Sequence, residues 1–100
     1  MKQINVISNN GITTVKVGKA KEIKGEKWGV AYVPTTYMNN EEVYVIKRVV
    51  HISTGTTLPI KGMPRNAPIK DYLTEANYFL AKISEKELKK ELAKFKSINQ

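Results

Sequence analysis

The pattern of apolar and polar residues along the chain changes near residue 66. Before it, β-branched and aromatic residues alternate with polar ones between repeated turn signals, which is typical of strands. After it, apolar residues recur at spacings of three and four, which is typical of amphipathic helices. The pattern predicts an α+β domain, in which two C-terminal helices pack on one face of an antiparallel curved sheet or small barrel.

The first part of the chain contains turn signals that divide it into five predicted strands. Asn9-Asn10-Gly11 predicts a hairpin, because Asn-Gly tolerates the positive φ angles of a type I′ turn. Gly18 predicts a bend, and Pro59 indicates an edge strand. The fourth strand is apolar on both faces, so we expect it to be central in the sheet, with both faces covered. The predicted strands are approximately residues 2–8, 12–24, 27–34, 42–52 and 56–60.

The last part of the chain predicts two helices, at approximately residues 68–82 and 85–97. Pro68 suits the first turn of a helix, where its missing N–H is harmless. Ser84 and Glu87 have the spacing of a capping box, so we expect the first helix to end before Ser84 and the second to begin after it.

The second predicted helix has a narrow apolar stripe on an otherwise charged surface. One interpretation is a peripheral helix that packs on the core of its own domain. The other is a docking element for a partner protein, or for a second copy of the chain in a homodimer. The stripe consists of Leu88, Leu92 and Phe95.

Composition limits the class of protein. The 100 residues predict a single domain over 1–100, with a basic sheet half at 1–65 and a helical half at 66–100. No apolar run approaches the roughly 18–20 residues of a membrane span, and the first residues lack the pattern of a signal peptide. We therefore expect a cytoplasmic protein without a membrane partner. The absence of cysteine excludes disulfides, thiolate zinc sites and thiol catalysis.

The net charge is unevenly distributed along the chain. Seventeen Lys and Arg against nine Asp and Glu give a net charge of +8. Eleven basic and four acidic residues occur through residue 70, a net charge of +7. The remaining six basic and five acidic residues contribute +1. The positive potential therefore belongs to the sheet half.

This distribution favours a nucleic-acid-binding protein. Lys and Arg attract phosphates, and exposed aromatic rings can stack on bases, which favours single strands over duplexes. Arg, the better reader of base edges, is scarce, so we expect mainly electrostatic contacts of low sequence specificity. The candidate surface consists of Lys16, Lys19, Lys21, Lys24, Trp28, Tyr32, Lys47, Arg48, Lys61 and Arg65.

Several of these candidates have an alternative structural interpretation. A lone tryptophan in a small domain is more often part of the core, and Tyr32 can be buried with its hydroxyl in water. The lysines before Trp28 can form a plain solvated hairpin. Lys47 and Arg48 fall on opposite faces of an apolar strand. One of them must therefore lie in an open patch or extend its stem to the edge of the sheet.

The second functional hypothesis is a protein-interaction module, such as a small accessory or inhibitor protein of a phage or plasmid. It would bind an acidic host or partner protein through the basic sheet, or a partner through the C-terminal helix. The basis is a short, lysine-rich, cysteine-free chain without an apparent active site.

The sequence offers few groups for catalysis or metal binding. His51 is the single histidine and has no neighbour at the spacing of a zinc motif, so we expect it to be hydrogen-bonded and partly buried. No nucleophile-elbow or phosphate-loop motif occurs. Glu41 and Glu42 are adjacent and would point to opposite faces of a strand. We therefore expect no enzymatic activity, no catalytic residue, no metal and no cofactor.

Overall fold

The structure, a computed structural model, describes residues 2–8, 11–36, 43–60, 62–64 and 66–99. Within these ranges, five antiparallel strands form one sheet and two helices follow, which confirms the predicted α+β class. The sheet is not closed, so of the two predicted forms the small barrel does not apply. The elements are β1 (Lys2–Ser8), β2 (Gly11–Val17), β3 (Lys21–Ile23), β4 (Glu26–Thr36), β5 (Val43–His51), α1 (Ile69–Ala81) and α2 (Glu85–Leu92).

The central strand of the sheet is β4. It pairs with β5 along one edge, and its other edge meets β3 and then β2, which joins it at Val17 opposite Ala31. The predicted β1–β2 hairpin forms, but Ser8 pairs with Gly11, so Gly11 belongs to the β-ladder and is not one of the two central turn residues that the Asn-Gly signal predicts. Residues 18–20 separate β2 from β3, so the strand predicted at 12–24 is divided at the bend predicted for Gly18.

The segment 56–60 is not a strand, contrary to the sequence prediction. An isolated bridge and a hydrogen bond, from the Leu58 N–H to the Val49 C=O at 2.8 Å, connect it to β5. Pro59 follows and has no N–H to donate, so the pairing does not continue. The predicted and observed sheets both have five strands because the predicted strand 12–24 became two.

Both faces of β5 are covered near its C-terminal end, whereas Val45 near its start is 62% exposed. Among the described strands β5 pairs only with β4, so it lies at an edge of the sheet and not at the predicted central position. Its apolar faces are covered by the packing of the helices on one side and of the hairpin on the other. Val49 packs in a first core against the helices, and Val50 packs in a second core against the β1–β2 hairpin. The first core contains Ile23, Trp28, Val30, Val49, Leu58, Ala67, Tyr72, Ala76, Leu80 and Leu88. The second core contains Ile4, Val6, Val15, Val17, Ala31, Val33 and Val50.

The helix signals in the sequence act at the predicted places. Helix α1 differs by one residue at each end from its predicted bounds, and it buries Tyr72, Ala76 and Leu80 on its apolar side. Ser84 caps α2, where its Oγ accepts a hydrogen bond from the Glu87 N–H at 3.1 Å, as expected for a capping box.

Helix α2 ends at Leu92, before the predicted residue 97. Beyond it the chain returns to the sheet, where the Asn99 N–H donates to the Ser53 C=O at 3.1 Å. After Leu92 the N–H groups of Lys94 and Phe95 donate to carbonyls three residues back, so the α-helical pattern is not continued. Tertiary contacts of the last residues therefore override the helical pattern of 93–97.

The turn that follows β5 lies directly against β1. The Ile7 N–H donates to the Gly55 C=O at 3.0 Å. Gly55 has a φ of +72°, and a Cβ at this position would collide with the backbone of Asn5 and Val6. Glycine satisfies both the positive φ and the close approach. This contact holds the edge of β1 near the end of β5 without closing the sheet.

Candidate nucleic-acid interface

Four of the ten predicted nucleic-acid-binding residues are exposed cations. Lys16 lies on β2, Lys21 begins β3, and Lys19 lies in the bend between these strands. Arg48 lies on β5 opposite Ala31, on the face of the second core. Their charged groups are free to reach a phosphate.

Lys24 is not available at the predicted surface, because its side chain is hydrogen-bonded to the helical half of the chain. Lys24 and Gly25, with φ angles of 52° and 79°, form the two-residue loop between Ile23 and Glu26. Positive φ at both positions is the geometry of a type I′ turn. The Lys24 Nζ donates to the Ile83 C=O just beyond α1, where the helix dipole favours a cation.

Lys47 is also engaged within the fold. It lies on the same face of β5 as Val49, among the residues of the first core. Its Nζ donates to the Ala67 C=O at 2.6 Å and lies 5.7 Å from the centre of the Tyr72 ring. The stem therefore extends to the edge of the core, as one of the two sequence interpretations describes.

The aromatic candidates are not exposed stacking platforms. Trp28 is 1% exposed and belongs to the first core, so its ring cannot stack on a base in this conformation. It packs against His51, with 4.9 Å between the ring centres. Tyr32 is half-buried. The core interpretation of Trp28 therefore applies, because the apolar ring is covered by the helices.

Lys61 and Arg65, the two remaining candidates, lie outside the residues that the structure describes.

A groove with two lysines lies at the bend between β2 and β3, and we call it the basic groove. Its volume is about 540 Å³. Lys2 and Lys19 supply its charge, and Val17, Ile52 and Ile69 supply apolar surface. No acidic residue lines it within the part of the chain that the structure describes. The basic groove is formed by Lys2, Val17, Gly18, Lys19, Ala20, Ile52 and Ile69.

The hairpin register and the bend bring the two lysines together. Lys2 is paired with Val17, the last residue of β2. Gly18 donates its N–H to the Val30 C=O at 3.1 Å, and a Cβ on Gly18 would lie 3.4 Å from Ile69 at the start of α1. Sequence reasoning did not include Lys2. The predicted Asn10-Gly11 turn gives a different register, with Asn9 opposite Ile12, so it did not identify the pairing of Lys2 with Val17.

The cations of the sheet half have little local compensation. Among the described residues, the ion pairs are His51 with Glu26 and Lys94 with Glu91. Glu22 is paired with Lys27 in the β3–β4 ladder, on two exposed side chains. The acidic residues of the described sheet half therefore leave Lys2, Lys16, Lys19 and Lys21 without an ion pair.

His51 is part of a buried hydrogen-bonded network. Its Nδ1 lies 2.8 Å from Thr54 Oγ1, and its Nε2 lies 3.0 Å from Glu26 Oε2. Thr54 Oγ1 donates to Thr56 Oγ1 at 2.9 Å. His51 and Thr54 are each 3% exposed, and this network holds β4, β5 and the following turn together. In the described part of the chain, no group of His, Cys, Asp and Glu could hold a metal ion.

The apolar stripe of α2 is largely used by the core of its own chain. Leu88 is buried in the first core, and Leu92 packs against that core. Phe95 lies beyond α2 and is 41% exposed. Of the two sequence interpretations, docking on the domain's own core therefore applies to Leu88 and Leu92, and Phe95 alone retains substantial exposed area.

The comparisons with known proteins add no family. No family model, curated protein or solved structure matches the chain. Within the described ranges, no helix is both long enough and apolar enough to cross a membrane.

Proposed function

We propose that this protein binds nucleic acid through electrostatic contacts centred on the basic groove. The observation that carries the proposal is the convergence of Lys2 and Lys19 on one concave site without an acidic lining residue. Phosphates of a nucleic-acid backbone are the polyanion that such a site attracts, and each contact releases counterions.

The walls of the basic groove suit the backbone of a strand. Val17, Ile52 and Ile69 offer apolar surface on which a sugar can rest while phosphates meet the lysines. Ile69 begins α1, whose N-cap Pro68 makes no side-chain capping bond. The first turn also carries Asp71, which offsets the positive end of the helix dipole, so the two lysines supply the attraction for an anion.

An exposed lysine next to the basic groove can extend the contact. Lys21 immediately follows Ala20 and flanks the groove, whereas Lys16 lies on the opposite face of β2 from Val17. The burial of Trp28 removes the aromatic platform that favoured single strands. We therefore expect binding of low sequence specificity, with similar affinities for single strands and duplexes.

The test is fluorescence anisotropy with labelled single-stranded and double-stranded oligonucleotides at several salt concentrations. Phosphate contacts from Lys2, Lys19 and Lys21 predict that affinity for a duplex falls about 40-fold when salt rises from about 50 to about 200 mM, and that affinity for a single strand falls about 20-fold. Absence of binding at the lowest salt concentration would refute the proposal.

A matched pair of charge reversals locates the surface. The double variant Lys2→Glu with Lys19→Glu should weaken binding strongly and reduce the salt dependence, because it reverses the charge of the basic groove. Lys86→Glu with Lys89→Glu makes the same change in net charge on the exposed side of α2 and should have a small effect. Equal losses in both variants would show that net charge alone, and not this groove, determines binding.

One observation favours the second hypothesis, a protein partner. Ile7 and Ile12 are paired across the β1–β2 hairpin and are 40% and 65% exposed. Exposed apolar surface of this kind is typical of protein contacts. If this patch binds a partner protein or a second copy, Ile12→Lys should abolish co-purification or dimerisation and leave oligonucleotide affinity unchanged or higher.

A further inference from the structure

An apolar pocket lies between the two helices and the segment 56–59. Its volume is about 270 Å³. Leu80 on α1, Leu88 and Leu92 on α2, and Leu58 contribute its walls, and Trp28 also lines it. The pocket shares no residue with the basic groove, so ligand binding in the pocket is independent of nucleic-acid binding in the groove.

Trp28 is one of the residues that line this pocket, and it has an unused hydrogen-bond donor. The residue is 1% exposed, and its Nε1–H has no acceptor in the described part of the chain. His51, which packs on the ring, already uses both nitrogens with Glu26 and Thr54. A buried donor without a partner is unfavourable, and it is relieved when a ligand supplies an acceptor.

We propose that this pocket binds a small neutral molecule with an aromatic or branched aliphatic body and one hydrogen-bond acceptor. The body would contact the leucines, and the acceptor would receive the Trp28 Nε1–H. The volume is slightly below the range of about 300–1,000 Å³ for pockets that hold drug-sized ligands, which indicates a smaller molecule.

The charges at the pocket favour a neutral ligand over an ion. Glu91 is the only charged lining residue of this pocket, and it is exposed. Its carboxylate pairs with Lys94, with an Nζ–Oε1 distance of 3.1 Å. The carboxylate disfavours an anion, and its own lysine partner removes most of its attraction for a cation.

The sole tryptophan makes the pocket directly observable. In the full ¹⁵N-labelled chain, the single indole N–H resonance reports on Trp28. Acetophenone and ethylbenzene serve as probes because they have similar size and only the former has a carbonyl acceptor. Acetophenone should shift the resonance saturably and bind about threefold to tenfold more tightly than ethylbenzene. Equal affinities for the two probes would overturn the role of the Nε1–H.

A pair of variants tests the location. Leu92→Phe adds volume at the pocket wall and should weaken acetophenone binding by at least about tenfold. Lys86→Phe adds the same ring to α2 outside the pocket and should leave the affinity unchanged. The proposal is overturned if neither probe shifts the indole resonance saturably up to its solubility limit, or if the two variants behave alike.

Discussion

The side chain of Asn99 is hydrogen-bonded in both directions to the backbone of Asn5. The Asn5 N–H donates to Asn99 Oδ1 at 2.7 Å, and Asn99 Nδ2 donates to the Asn5 C=O at 2.7 Å. The same Nδ2 donates to the Ile52 C=O at 2.8 Å. Asn99 therefore takes the place of a neighbouring strand at the edge of β1 and connects it to the turn after β5.

Replacing Asn99 by alanine should lower the free energy of unfolding by about 1–3 kcal/mol, because three partly buried hydrogen bonds are lost. Urea denaturation monitored by Trp28 fluorescence measures the change. Asn77→Ala, at an exposed position of α1, is the control and should stay within about 0.5 kcal/mol. Similar losses in both variants would contradict a structural role of the Asn99 side chain.

A comparison of Gly55 with Gly62 distinguishes the energetic cost of a positive φ angle from the cost of a steric collision. Both have positive φ angles, of +72° and +80°, but a Cβ on Gly62 would meet no atom within 4 Å. Gly62→Ala should therefore cost about 1 kcal/mol through its φ angle alone. Gly55→Ala should cost at least about 2 kcal/mol more, because the methyl group also collides with β1.

Thermal unfolding of the two variants measures this difference. Equal melting temperatures would contradict the close approach of β1 to the turn at Gly55.

The buried hydroxyl of Thr54 should contribute to stability through His51. Thr54→Val keeps the shape of the side chain and removes the partner of His51 Nδ1, so we expect a loss of about 1–3 kcal/mol. Thr74→Val makes the same chemical change on the exposed side of α1 and should stay within about 0.5 kcal/mol. Chemical denaturation of both variants is the measurement, and a neutral Thr54→Val would argue against the network.

Trp28 should be shielded from water and from any bound nucleic acid. Its 1% exposure predicts a blue-shifted emission maximum and weak quenching by acrylamide, which should become strong after unfolding in urea. Saturation with an oligonucleotide should leave the emission unchanged. Strong quenching by an oligonucleotide would show that the ring stacks on a base, which the first core does not allow.

Local patterns were sufficient for most of the elements. The Asn-Gly hairpin, the bend at Gly18, the capping box at Ser84 and the apolar stripe of α1 each involve residues close in sequence. Such signals act through backbone geometry and periodic burial, so they are readable without a tertiary structure. The helix predicted to residue 97 was too long because the contact from Asn99 to Ser53 is not a local one.

The candidate surface was predicted less completely than the elements. Its exposed cations Lys16, Lys19, Lys21 and Arg48 follow from alternation and charge. The sequence did not predict that Lys24 and Lys47 are unavailable for binding. Each donates to a backbone carbonyl that is distant in sequence, Lys24 to Ile83 and Lys47 to Ala67.

The sequence by itself determined the order of most strands and of the helices, the coverage of both faces of β5 near its C-terminal end, and the concentration of positive charge before residue 71. Only the tertiary structure decided which charges are free, where the lone tryptophan lies, and which lysines share a groove. The physical reason is that periodicity and turn chemistry act over a few residues. Burial, the ends of long side chains and cavities depend on surfaces that meet only when the chain has folded.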